Sequence, residues 1–296
     1  MGTGMNSECF VCQLKRYTGI ARELGSDAAA TDFAKDMMRV YLSAPEGVDS
    51  PWYGPHFAAL LEKHFGLPQD SFRAEMEEAN AFVRPRLDEI RQRIRAAEDP
   101  LLRAIQFSIL GNYLDYNSLR GEVSLEKLEQ MLLEAEKMEL DGKVLAQLRG
   151  DLEKGGKLLL ITDNAGEIGF DLCLAETVAA QYPGINITFL VRGGPAANDA
   201  CRADAEYMGV PFPVLDTGSK IAGAHLGYMA EDAQRAVDEA DIILSKGQAN
   251  VECLWGCGKN IYYALLIKCV RFIALFDKPK LTPMLLAEQN RATPLF

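Results

Sequence analysis

Residues 156–171 read Gly-Lys-Leu-Leu-Leu-Ile-Thr-Asp-Asn-Ala-Gly-Glu-Ile-Gly-Phe-Asp, and this stretch decides the fold. Lys157–Thr162 is a short, continuous apolar run, the mark of a strand covered on both faces. A helical pattern follows over Phe170–Gln181, then a second apolar run, Ile185–Val191. Further on come a helix at Asp199–Met208, a weaker strand at Val214–Leu215, a helix at Met229–Ala240 and a strand at Ile242–Ser245. Ile261–Phe276 is expected to close the sheet with one or two more strands. Strands alternating with helices predict βαβ units: an α/β, Rossmann-like, mostly parallel sheet with helices on both faces.

Upstream of Gly155–Gly156 the texture is helical, so a helical region over 1–150 is expected to precede an α/β core over 151–296. In Phe72–Ala97, Phe72, Met76, Ala79, Phe82, Val83, Leu87, Ile90 and Ile94 keep helical spacing, with a break expected at Pro85. Val123–Leu148 repeats the pattern, and Ala44–Pro55 is a turn-rich connection. Asp27, Asp70 and Asp99 are placed to start helices, the last with Pro100 at the first helical position.

Composition narrows the function. The 296 residues carry 31 Lys and Arg against 42 Asp and Glu, a net charge of −11, which argues against a general nucleic-acid footprint. The longest apolar run, Ile261–Phe276, is too short to span a membrane and contains Lys268 and Arg271. No basic start followed by an apolar segment marks a secretory signal, so a cytoplasmic protein is expected. Seven cysteines, an odd number in a long chain, argue for reduced thiols or metal ligands over a disulfide framework.

Open parallel sheets bind ligands at the carboxyl ends of their strands. Those places hold Asp163-Asn-Ala-Gly-Glu167 after the first strand, Arg192-Gly-Gly-Pro-Ala-Ala-Asn-Asp199 after the second, and Lys246-Gly-Gln-Ala-Asn250 after a later one. Asp163, Asn164 and Asp199 are short oxygen donors suited to a hard divalent cation such as Mg²⁺ or Mn²⁺. The Gly166 turn opens a helix whose N–H groups can hold an anion, and Lys246 adds positive charge. Together they describe metal-assisted phosphoryl chemistry. Each residue also has a plain alternative: Asp163–Asn164 and Asp199 as helix caps, Gly193–Gly194 as a turn, Lys246 as a solvated strand end. Asn112 and Asp115 would share one helical face, as would Glu167 and Asp171. His56, His64 and His225 form no ligand spacing. The dinucleotide Gly-x-Gly-x-x-Gly signature and the phosphate loop ending in Gly-Lys-Ser/Thr are both absent.

In order, Thr162-Asp-Asn-Ala-Gly-Glu-Ile168, Arg192-Gly-Gly-Pro…Asn198-Asp199, Lys246-Gly-Gln-Ala-Asn250 and Ile267-Lys-Cys269 resemble the metal-dependent damage-control phosphatases, formerly a domain of unknown function. Gly111-Asn-Tyr-Leu-Asp115 and Cys9-Phe-Val-Cys12 resemble the stand-alone prokaryotic branch of that family. The resemblance implies a helical region on a Rossmann-like core and a divalent metal (Mg²⁺, Mn²⁺, Co²⁺ or Ni²⁺) on Asp163, Asn164 and Asp199. It also implies hydrolysis of small phosphorylated metabolites, either sugar phosphates or damaged phosphometabolites. Lys246 and the backbone N–H groups of Ala165, Gly166 and Glu167 would then neutralise the phosphoryl group, with Asn112, Asp115, Asn250 and Lys268 also binding substrate. Two alternatives stay open: a carboxyl methyltransferase using S-adenosylmethionine, and a phosphometabolite-binding protein without turnover. Cys9-x-x-Cys12 with Cys253-x-x-x-Cys257 has spacing for a structural zinc, but packing or redox-sensitive thiols are the expectation, with no part in catalysis.

Overall fold

Apolar residues three and four apart wind the first part of the chain into helices. They are α1 (Ser7–Leu24), α2 (Asp27–Ser43), α3 (Tyr53–Phe65), α4 (Arg73–Val83), α5 (Leu87–Ala96), α6 (Pro100–Gly111) and α7 (Gly142–Glu153). The computed structural model describes residues 4–112, 130, 133–134 and 137–288. The Phe72–Ala97 stretch divides where Pro85 stands, with Arg84–Arg86 as a 3₁₀ turn between α4 and α5. Proline has no N–H to give the helix ladder, which is why the division falls there. Asp99 caps α6 by accepting from the Leu102 N–H at 3.1 Å, and Pro100 follows it as the first helical residue. At α2 the cap is Ser26, one residue before Asp27. Asp70 lies outside α4, its carbonyl accepting from Arg73 N–H. Of the expected Val123–Leu148 helix, residues 123–129, 131–132 and 135–136 lie outside the described residues; residues 138–141 are not helical, and Asp141 caps α7 through Lys143 and Val144 N–H.

The six-stranded sheet comprises β1 (Gly156–Ile161), β2 (Ile185–Val191), β3 (Val214–Asp216), β4 (Ile242–Lys246), β5 (Ile261–Leu266) and β6 (Pro283–Ala287). Its order is β3-β2-β1-β4-β5-β6, parallel throughout except that β6 runs antiparallel beside β5. Helices α8 (Glu167–Gln181), α9 (Arg202–Met208), α10 (Glu231–Glu239), α11 (Gly247–Leu254) and α12 (Val270–Phe276) join the strands. The closing segment departs from expectation. Ile261–Phe276 supplies one strand and then α12, and the last strand is β6, further along. A continuous apolar run reads alike as a buried strand or a buried helix, so periodicity could not separate them.

Alternation along β1 divides the interior. Leu158 and Leu160 face a cluster with Ile105 and Phe107 of α6 and Phe170 of α8. Leu159 and Ile161 face Val237 of α10, Val251 of α11 and Tyr263 of β5. A third cluster, built from Phe33, Met37, Tyr53, Phe57 and Leu61 of α2 and α3, receives Ile221 from the loop after β3. Strand order reverses between β1 and β4, and a crevice forms at such a switch point. Among the described residues no helix is long and apolar enough to cross a membrane.

Leu160, without exposed surface in the central strand, is the sharpest packing test. Leu160→Ala is expected to cost about 2–5 kcal/mol of stability, read from the midpoint of urea unfolding, because the cavity cannot close against a sheet packed on both faces.

Candidate active site

Two loops meet at the carboxyl ends of β1 and β2 and are laced together. Asn164 and Asp199 form an antiparallel bridge, Ala165 N–H donates to Asn198 O at 2.9 Å, and Ala200 N–H donates to Asp163 O at 2.7 Å. The lacing gathers Asp163, Asn164 and Asp199, all nearly buried, at the switch point. Gly166 makes the turn into α8 with φ 74°, a conformation that favours glycine.

Side-chain amides aim the acidic groups. Asn112, at the end of α6, donates to Asp163 Oδ2 at 2.6 Å and to Glu167 Oε2 at 3.0 Å. Asn164 Nδ2 reaches the same two oxygens at 2.9 and 2.8 Å, and its Oδ1 accepts from Asn198 Nδ2 at 3.1 Å. Gly247 lies hard against this group. A Cβ there would sit 1.9 Å from Asp163 Oδ2, and the residue's φ is +75°.

Lys246 is fully buried, and its Nζ donates to Glu167 Oε1, to Asp171 Oδ1 at 2.9 Å and to Ser108 O at 2.8 Å. Burial alone would pull the ammonium down, but Asp171 and Glu167 outweigh it and hold it above its ordinary value. Burial also pushes the Asp171 carboxyl up to about 6, against the pull of Lys246. The ammonium has three protons and three acceptors. Where the sequence reading puts Lys246 on a phosphoryl group, its three protons here point to Glu167, Asp171 and the Ser108 carbonyl.

Two further groups that the sequence reading assigns to substrate have protein partners here. Asn250 is fully buried and uses its whole capacity. Its Nδ2 donates to Thr162 O at 3.0 Å and Lys246 O at 2.6 Å, while its Oδ1 accepts from Arg192 Nη2 at 3.1 Å and Ala224 N–H at 2.8 Å. These four bonds clamp the strand ends to α11. The backbone donors of Ala165 and Gly166 are also spent, on Asn198 O and on Asn80 Oδ1 at 2.7 Å. Two of the three N–H groups read from the sequence as an anion cradle thus have protein acceptors here. Lys268 follows β5 and is nearly buried, with its N–H given to Gln248 Oε1. Asp115 lies outside the described residues.

Sequence reasoning missed Asn80, Ser108 and the part played by Arg192. Asn80 comes from α4, 86 residues before the Gly166 it holds, and no local pattern announces it. Arg192 carried a usable signal, a charged residue directly after a buried strand and before Gly193–Gly194.

The cysteines do not assemble a zinc site. Among the described residues no three or more His, Cys, Asp or Glu side chains are placed to hold a metal, which overturns the four-thiolate possibility. Cys9 Sγ accepts from Arg271 at 3.5 Å, whereas Cys253 is buried against Ala222 O. His64 pairs with Asp36 at 2.8 Å and His225 with Asp49 at 3.4 Å. Near the cysteines, Glu252 of α11 is pushed from 4.5 up to about 7, by burial first and then by Asp49, against the pull of Arg271.

Fold and site together define a doubly wound α/β protein with an oxygen-donor crevice at its switch point. Over residues 5–281 the chain matches the damage-control phosphatase ARMT1-like domain, and it belongs to that family of phosphatases. It is 31% identical over 205 residues to a damage-control phosphatase of Archaeoglobus fulgidus, covering 68% of this chain and 70% of the relative. It is 29% identical over 279 residues to the uncharacterized protein MJ0202 of Methanocaldococcus jannaschii, covering 88% of each. The crystal structure of a DUF89 family protein, PH1575 of Pyrococcus horikoshii, superposes with a TM-score of 0.81 at 23% identity, over 97% of this chain and 99% of that one.

Two outcomes follow from the buried charges. Lys246→Met would leave Glu167 and Asp171 buried without their cation, at an expected cost of about 3–5 kcal/mol in denaturant unfolding. Glu252, with its folded pKa above the unfolded value, contributes stability that is complete below about pH 4.5 and is lost as pH rises through about 7. Unfolding measured from pH 4 to 8 should show that decline in the native chain, and Glu252→Gln should flatten it by roughly 2–3 kcal/mol.

Proposed function

We propose that the protein is a divalent-metal-dependent phosphatase that hydrolyses phosphate monoesters of small metabolites. The observation that carries this reading is the pair of laced loops bringing Asp163, Asn164 and Asp199 to one place at the switch point. Two carboxylates and an amide oxygen are hard donors, fitted to Mg²⁺ or Mn²⁺ and poorly fitted to a soft ion. The Asn164 amide has a determined orientation, because its nitrogen serves Asp163 and Glu167 and its oxygen therefore faces the other way. Gly247 leaves the Asp163 carboxylate room that any side chain would take. When bound, such an ion supplies Lewis acidity at a phosphate oxygen and lowers the pKa of water.

The chain's own residues hold that arrangement in place. Asn112 ties α6 to Asp163 and Glu167, so the helical region reaches the chemistry directly. Lys246 offsets one of the two charges on Glu167 and Asp171, and Arg192 offsets that of Asp199, so the four carboxylates, Asp163 included, keep a net charge of −2 against the two cations. Lys268, at the end of β5, is the candidate for direct charge neutralisation on a phosphoryl group in place of Lys246. Fixed groups of this kind supply most of the catalysis in phosphoryl transfer.

Phosphate release from a panel of sugar phosphates and phosphorylated cofactors, with Mg²⁺, Mn²⁺, Co²⁺ or Ni²⁺ and with chelator, tests the proposal. Asp163→Ala and Asp199→Asn are expected to abolish both turnover and calorimetric Mn²⁺ binding while circular dichroism stays unchanged. Full turnover in either variant, or activity indifferent to chelator, would refute the reading.

A further inference from the structure

Arg192 ends a buried strand, yet no part of its side chain is exposed and its guanidinium touches three separate elements. Nε donates to Asp199 Oδ2 at 2.6 Å, and Nη2 donates to Thr162 O at 3.0 Å and Asn250 Oδ1 at 3.1 Å. The same Asp199 oxygen accepts from Gly223 N–H at 3.3 Å. Strand alternation puts Arg192 on the sheet face of Leu190, the α10–α11 side, whereas Lys246 shares the opposite face with Leu244. Two buried cations therefore grip the site from opposite sides of the sheet, one on Glu167 and Asp171, the other on Asp199.

We propose that Arg192 is a positioning residue that holds the Asp199 carboxylate aimed for a divalent cation, which rests on the metal site argued above. Packing alone is a poor account of it. Among the described residues Arg192 Nη1 is buried without a hydrogen-bond partner, and a buried ion pair is weak evidence for stability. A neutral apolar side chain would fill the same volume without an orphaned donor. What the guanidinium adds is geometry: its planar fork joins the β1 end, the β2 loop and α11, so the Asp199 carboxylate has one orientation before any ion arrives. Asn250 is the second half of this device, since its own four bonds prevent the fork from swinging.

The test turns on a sign. Coulomb's law alone says that removing a positive charge beside Asp199 should tighten cation binding, whereas loss of positioning should weaken it. Mn²⁺ affinity is measured by calorimetry on the purified full chain and on Arg192→Met, Arg192→Lys and Asp199→Asn, with melting temperatures in parallel. Arg192→Met is expected to bind Mn²⁺ about 10–100-fold more weakly, the usual cost of losing a partner of a metal ligand. Arg192→Lys, which keeps the charge and one donor, should recover part of that loss. Unchanged or tighter Mn²⁺ binding by a folded Arg192→Met would overturn the proposal, as would a lowered melting temperature with native affinity. If Arg192→Met fails to fold, the native chain answers instead: its Arg192 Nε–H nuclear magnetic resonance signal should shift at saturating Mg²⁺, and a signal that stays put overturns the proposal. Asp199→Asn separates the two readings. Native Mn²⁺ affinity in that variant would remove the metal site itself, whereas its loss alongside native affinity in Arg192→Met would remove only the positioning role.

Discussion

Lys246 stands with no exposed surface between Glu167, Asp171 and the Ser108 carbonyl, and the rest of the site is arranged around that contact. Two carboxylates on the first two turns of α8 could not stay buried against the sheet without a cation. The pleat of β4 supplies one, since Leu244 packs toward α6 and α8 and Lys246, two residues on, shares that face. Glu167, held in this way, can accept from Asn112 and Asn164 with its other oxygen, and those amides then set Asp163. One buried ion pair is thus transmitted to Asp163 through two side-chain amides.

Asn80, Asn112, Asn164, Asn198 and Asn250 are all buried, and each bonds across a gap between elements. An amide donates and accepts at fixed angles without adding charge, so it can orient acidic groups while leaving their negative charge for a cation. Backbone donors are consumed by the same lacing, which is why the turn into α8 is less of an anion cradle than its sequence suggests.

The helical region is tied to the sheet by two different forces. Helices α5 and α6 share the apolar cluster under β1, and α6 delivers Ser108 and Asn112 to the crevice. Helices α1 to α3 form a cluster of their own and accept one residue from elsewhere, Ile221. Two residues beyond Ile221, Gly223 N–H bonds Asp199, and the next N–H bonds Asn250. The loop after β3 therefore connects the packing of the first three helices with the orientation of a candidate ligand.

Much of this was legible in the chain itself. The apolar runs at 157–161, 185–191 and 242–245 became β1, β2 and β4 because a strand covered on both faces must be apolar throughout. The parallel sheet follows from their alternation with helices, and the short polar residues after β1 and β2 mark the carboxyl edge where a ligand would sit. The division at Pro85 and the cap at Asp99 were local, and local chemistry decided them. Partner choice is different. Whether Lys246 meets solvent, substrate or two carboxylates depends on which face of β4 it occupies and what α6 and α8 place there, 138 and 75 residues away in sequence. Asn250 reads as a binding residue until four partners from separate elements exhaust it, and Ile261–Phe276 reads as sheet until packing turns its second half into α12. Residue type and periodicity determined which groups this chain could bring to a site. Only the tertiary structure decided which of them are spent on each other, because a buried hydrogen bond or ion pair needs both partners within about 3 Å, and sequence spacing carries no information about that distance.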